Sequence, residues 1–385
     1  MAKDKHKGKM EVAADRGRQT GMTAGTGWKG WLLKERDIFL KHRIVFILLG
    51  LRLPGDLGGY PSLKLALQVW HYYMTLMFSV LCIGFLFGVI IDHGEYVITA
   101  ILYSMLGVLS CSCVFTKYLT VYHHRHDVAD LIAFLRDVKA DTTLGKFTYC
   151  LSIFYEGMAV CMRFMILLKI AQHGKWQLVM PFWTPYSKKE PIVMVATAVF
   201  VQCSAAIKTF TNFFIDTLFL LMANQLCHKF LILKSSFELV GLSEGEKRSR
   251  LASRRCLRFP DLADESIFRS CVIEHVRLIK AVEKYETILN RLFLPQVVNA
   301  FLTLCIVMFS CSQAENMVKE VIQCIPLTNT AFLQLFVSCF SGELIKSRYN
   351  DILDASYSNG WYDTSERLKS SILITQTYAT RPKVL

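Results

Sequence analysis

Six apolar runs decide what this chain can fold into. They span roughly residues 65–91, 96–116, 147–168, 192–226, 293–313 and 327–345. As helices, runs of about 20 residues cross the ~30 Å hydrocarbon core of a bilayer. A soluble protein of 385 residues would hold two or three domains, but a hydrophobic fraction of 53% and a mean hydropathy of +0.34 are too apolar for that. Charged residues make up 19% of the chain and crowd into its ends and a few loops. The expected fold class is therefore all-α, a polytopic transmembrane helical bundle, and collagenous, disordered and disulfide-scaffold classes are excluded.

The odd count of thirteen cysteines, with Cys82, Cys111, Cys113, Cys161, Cys203, Cys305 and Cys339 in apolar runs, reads mostly as buried thiols, and no CxxC pair supports a zinc ribbon or dithiol site. The net charge of +13 fits basic loops that set membrane orientation better than nucleic-acid binding, for which no module is recognisable. The first 36 residues are basic and polar without the apolar core of a signal peptide. Of the 44 Lys and Arg, 37 fall in the N-terminal segment, the second and fourth connections and the tail, against 5 in the alternate connections. The basic side is cytoplasmic, so the N-terminus is inside and, with six spans, so is the C-terminus.

The chain divides on this reading into a basic extension (1–36), an interfacial amphipathic segment (37–64), four spans (65–226), a cytoplasmic connection (227–292), spans five and six (293–345) and a cytoplasmic tail (346–385). The fourth run is long enough to continue below the membrane, carrying Lys208 and Asp216. The connection predicts a helix starting near Pro260 and Asp261, with Ile267, Phe268, Cys271, Val272, His275, Leu278, Ile279, Val282, Tyr285, Ile288 and Leu289 on one face. Such a stripe needs a partner helix or another subunit.

Candidate chemistry is sparse. Glu156 and Arg163 stand about two turns apart in the third run, as a polar element of a cavity or as a mutually paired couple. His123, His124, Arg125 and His126 lie where such residues meet headgroups, and no metal set is identifiable. HExxH, GxSxG and GxxxxGK[ST] are absent, so neither an enzyme nor a cofactor is expected. After the third run, Trp176, Pro181, Phe182, Trp183, Pro185 and Tyr186 form an aromatic belt or a lid over an apolar cavity. Tyr103, Met162, Met165, Met194, Phe200, Phe332 and Phe336, on the outer helix ends, are the candidate lining residues for a small volatile or lipophilic ligand.

Toward the C-terminus come Leu335, Phe336, Cys339, Gly342 and Glu343, then Tyr357, Trp361, Tyr362, Arg367, Lys369, Ala379, Arg381 and Pro382. This stretch resembles the end of insect odorant receptors, with Tyr378 and Thr380 departing from the family's closing turn. The segment from Asp37 to Gly55 is similar to that family's opening. The resemblance implies a subunit of a ligand-gated non-selective cation channel, assembled with an olfactory coreceptor as a heterotetramer in the plasma membrane of sensory dendrites and opened by a small volatile odorant. It implies a family and subunit-interface role for Tyr357, Trp361, Tyr362, Arg367, Arg381 and Pro382. The family continues past its proline with a seventh, pore-lining span, whereas this sequence stops at Leu385. Six spans of a seven-span pattern, and no pore wall from the printed chain, are therefore expected. A gustatory receptor of the same superfamily and a six-span secondary transporter are the alternatives. A G-protein-coupled receptor would place its N-terminus outside.

Overall fold

The computed structural model describes residues 39–51, 61–91, 98–136, 150, 154, 157, 182–183, 191–253, 263–313 and 317–379. The chain divides into two compact units, Met1–Lys41 and His42–Leu385. Only residues 39–41 of the first are described, and the architecture below is that of the second.

In chain order the helices are α1 (Leu40–Leu48), α2 (Pro61–Ile91), α3 (Ile98–His123), α4 (Arg125–Leu135), α5 (Pro191–Phe237), α6 (Glu244–Ser253), α7 (Asp264–Ser312), α8 (Met317–Tyr357) and α9 (Glu366–Ala379), with a 3₁₀ turn at Trp361–Asp363. No strand occurs among the described residues. Among the described residues, four helices, α2, α3, α5 and α7, are long and apolar enough to cross a membrane. Their apolar surface is largely outside the packed interior: only 17% of the most apolar stretch of α5 is buried, and 28% of that of α7. Hydrocarbon is the solvent such surfaces match, and α-helices satisfy their own backbone there. Intrahelical side-chain bonds dispose of many hydroxyls in the same way, as from Thr75 to the His71 carbonyl and from Thr211 to that of Ile207.

Three sequence expectations change in detail. The fourth run extends into a 47-residue helix and the predicted connection helix fuses with the fifth run into one of 49 residues. Each is about 70 Å long at ~1.5 Å per residue. The second point is the start of α7 at Asp264; Pro260 and Asp261 lie outside the described residues. Nine of the eleven stripe residues are buried, Val272 and Leu289 being half-buried, and α7 as a whole packs against α8, α3, α5 and α4 of the same chain. Third, the interfacial segment is docked at its end: Phe46, Leu49 and Leu51 of α1 and its exit are buried, Phe46 edge-on to Phe214 at 5.6 Å.

The docking follows from how α1 stops. Gly50 at φ 72° lets Leu51 N–H reach the Phe46 carbonyl (2.8 Å) and Gly50 N–H that of Ile47 (3.0 Å), the pattern of a glycine-terminated helix. The remaining carbonyls take side-chain donors. Trp70 Nε1 donates to Leu48 at 2.7 Å and the Tyr118 hydroxyl to Leu49 at 3.0 Å.

Packing is densest at the inner end. From Phe213 to Phe230, α5 is buried on nearly every side by α7 and α8, whereas its outer part shows Ile192, Val199 and Phe200 to the outside. A helix apolar all round belongs in a core. Among the described residues, the closest packing is thus that of the inner parts of α5, α7 and α8.

Candidate functional site

Among the described residues, an aromatic insertion ties the outer parts of α2, α3 and α5 together. Phe182 is buried where Gly84 of α2 has no side chain; a Cβ at Gly84 would overlap the ring. Trp183 N–H donates to the Gly84 carbonyl at 2.9 Å, so the same residue that makes the room also fixes the segment. Phe182 stands edge-on to Phe85 at 5.3 Å, and Trp183 lies 5.5 Å from Phe87. Leu81, Phe85, Cys111, Phe182 and Val201 form one buried cluster that ties α2, α3 and α5 together. Of the aromatic segment expected as a belt or a lid, these two residues are the described part, and they pack against α2.

The lining candidates distribute around it. Met194, half-buried, and Phe200, 37% exposed, share the outer part of α5; Phe200 precedes the buried Val201 of the aromatic cluster. On α8, Phe332 (56% exposed) and Phe336 (48%) lie one turn apart, and Phe336 stacks on Phe340 at 5.5 Å. Among the described residues no ring contact joins the α5 pair to the α8 pair. Tyr103 has its backbone in α3, between Leu102 and the buried Ser104; its side chain, like all of Met162 and Met165, lies outside the described residues. So do Glu156 and Arg163. A second small outer contact, Leu106 with Val307 and Cys324, joins α3, α7 and α8.

Below this region two lysines of the bundle find polar partners on neighbouring helices. Lys117 of α3, at 0% exposure, donates to Asn212 (2.9 Å) and Asp216 (2.7 Å) of α5. Lys208 donates to Ser110 at 3.1 Å. The second apolar run ends before Lys117, whereas α3 continues helically past it to His123, and the Lys117 ammonium meets a carboxylate on the neighbouring helix. In the histidine cluster, His124 Nδ1 lies 3.4 Å from Asp127, and Arg125 sits over the Tyr122 ring at 4.7 Å.

Of the C-terminal motif residues, Trp361 takes part in a junction at the inner end. Gly241, at φ 81°, lies against Gly360, and Asp264 Oδ1 accepts from Gly241 N–H at 3.0 Å and from Lys247 Nζ at 2.7 Å. Buried Asn359 donates to the Phe237 carbonyl at 3.4 Å and accepts from Trp361 N–H at 3.2 Å. Trp361 is half-buried there, while Tyr357, Tyr362 and Arg367 are exposed; Arg381 and Pro382 lie outside the described residues. The junction residues Gly241, Asn359 and Gly360 escaped the sequence reading. The signal was present: a glycine just past a long helix, and Ser-Asn-Gly ahead of the tryptophan, both mark turns.

The family model for the 7tm odorant receptor matches residues 97–385. The chain belongs to that family. Among solved structures, this family member is similar to the insect olfactory receptor OR5 from Machilis hrabei, at 14% identity and a TM-score of 0.72, covering 89% of this chain and 88% of the other. The same receptor in complex with eugenol matches with a TM-score of 0.66 at the same identity and coverage. No curated protein matches the sequence. The shared fold is a multi-pass helical membrane bundle, and an odorant receptor of this fold is not an enzyme.

Proposed function

We propose that this odorant receptor is the ligand-binding subunit of a ligand-gated non-selective cation channel that it forms with an olfactory coreceptor in the plasma membrane of sensory dendrites. The observation that carries the reading is the fold shared with a receptor whose structure holds eugenol, a small volatile aromatic ligand. The outer half of the bundle supports it. Its apolar, aromatic and thioether side chains recognise lipophilic molecules by shape and dispersion with few hydrogen bonds.

The ligand lies beneath the Phe182–Trp183 insertion, against Met194 and Phe200 of α5 and Phe332 and Phe336 of α8, with Tyr103, Met162 and Met165 completing the wall. Phe332 and Phe336 are exposed within the single chain. Tyr357, Tyr362 and Arg367, exposed beside the inner junction, are the contacts offered to neighbouring subunits, with Arg381 and Pro382 following them in sequence. Expression of this chain with an olfactory coreceptor, of each alone, and of neither provides the test. Eugenol and a panel of volatiles should evoke cation currents of a tuning found only in the pair. Identical currents from the coreceptor alone would refute the subunit role.

A further inference from the structure

The connection between α5 and α7 carries a helix unlike the long ones around it. In α6 and its cap, every residue from Ser243 to Arg250 is exposed except Lys247. Its N-terminal end is held firmly. The Ser243 backbone N–H and hydroxyl donate to Glu246 at 3.1 and 2.7 Å, Lys247 Nζ meets Asp264 at 2.7 Å, and the same carboxylate holds Gly241 N–H. Toward its other end the sequence reads Arg248-Ser249-Arg250-Leu251-Ala252-Ser253, followed by Arg254 and Arg255. Arg248 lies 3.6 Å from Glu244 with both side chains over 70% exposed, a pairing worth little in water.

We propose that Ser253, the last residue of α6, is a phosphorylation site for a basophilic serine/threonine protein kinase. Guanidinium groups five and three residues before the hydroxyl match a kinase whose peptide groove is lined by carboxylates, since planar forks bind carboxylates in pairs. Helix ends fray most readily, so the serine sits where the chain yields an extended strand at least cost. In the transfer, the bond from the γ-phosphorus of ATP to its bridging oxygen breaks and a bond from that phosphorus to the Ser253 oxygen forms. ADP leaves with the electron pair, and the hydroxyl proton passes to the kinase's base. The product places about −1.5 to −2 charges at the C-terminal end of a helix, where the dipole is already negative. The proposal rests on the inside orientation read from the basic loops, because kinase and ATP are cytoplasmic.

The test uses the full chain, first in detergent micelles with a purified basophilic kinase and ATP, then in intact cells, with phosphopeptides mapped by mass spectrometry. Phosphate is expected on Ser253 in both settings, abolished by Ser253→Ala. Initial rates should fall about tenfold in Arg248→Gln/Arg250→Gln, as loss of charge complementarity predicts, and stay unchanged in Ser249→Ala. Labelling of Ser249 in place of Ser253, or a rate indifferent to both arginines, overturns the assignment. Labelling in micelles but never in cells overturns it as a cellular modification and locates the fault in the orientation.

Discussion

Gly241 and Gly360 meet backbone to backbone: a Cβ on Gly241 would overlap the Gly360 carbonyl, and one on Gly360 would come within 2.9 Å of the Gly241 oxygen. This contact joins the exit of α5 to the turn that carries the Trp361-Tyr362 motif, and it fixes how the tail leaves the bundle. Gly241 is doubly constrained, because its φ of 81° is unfavourable for any residue with a side chain. Gly241→Ala should therefore lose at least about 1–3 kcal/mol, the scale of local backbone strain. Gly241→Asn separates the two causes, since asparagine tolerates the left-handed conformation but still collides. Thermal unfolding in micelles should place both variants well below the parent and Gly360→Ala between. An asparagine variant as stable as the parent would show that the close approach is unimportant.

The Lys117–Asp216 pair yields a non-additive prediction. Both groups are within the bundle, and Asn212 supplies a further acceptor to the ammonium. Removing one partner leaves the other charged and buried, which costs about 3–5 kcal/mol, whereas replacing both by apolar residues of similar volume is far better tolerated. Asp216→Leu should destabilise strongly, and Lys117→Met added to it should restore much of the loss. Losses that simply add in the double variant would mean the two groups do not depend on each other.

These two relationships also mark the limit of what the sequence can say. Apolar runs announce α2, α3, α5 and the outer part of α7 because hydrocarbon demands length and apolarity, and the stripe from Ile267 to Ile288 announces an amphipathic helix. Neither Lys117 with Asp216 nor Gly241 with Gly360 is visible, because each pair is created by packing of segments about 100 residues apart in the sequence. The candidate ligand site is harder still. In lipid, the faces of α5 and α8 that meet hydrocarbon and those that meet protein are equally apolar, so Phe200, Phe332 and Phe336 can be assigned to an outer helix end but not to a side. The Phe182 insertion was legible as an aromatic segment, while its seat over Gly84 required the fold.

Glu246 gives α6 a pH dependence. Hydrogen bonds from the Ser243 hydroxyl and backbone N–H hold its carboxyl below the ordinary glutamate value. A carboxylate with a lowered folded-state pKa contributes stability that is complete above the unfolded value, about 4.3, and is lost as pH falls through the lowered one. Amide exchange in the first turn of α6, corrected for its intrinsic pH dependence, should therefore accelerate on acidification in that window. Glu246→Gln, which keeps the geometry without the charge, should remove the dependence; if it persists unchanged, another group is responsible.

Orientation is checked by epitope tags at the N-terminus and within 254–262. With 37 of the 44 basic residues assigned to one side, antibody should reach both tags only after permeabilisation. Labelling of either tag in intact cells reverses the topology and moves α6, with its serine, away from the cytoplasm.

The most direct test of a ligand site in the outer half compares tuning with surface expression. In cells that also express an olfactory coreceptor, currents evoked by eugenol and a panel of volatiles are recorded for the parent, Met165→Ala, Met194→Ala and Phe336→Ala, with surface protein quantified in parallel. A lost thioether or ring contact of about 1–2 kcal/mol changes affinity for the ligands that fill that space by roughly 5- to 30-fold. The account predicts a reordered ranking of volatiles, different for each substitution, at nearly unchanged surface expression. An unaltered ranking in all three variants would contradict it and place the ligand elsewhere in the bundle.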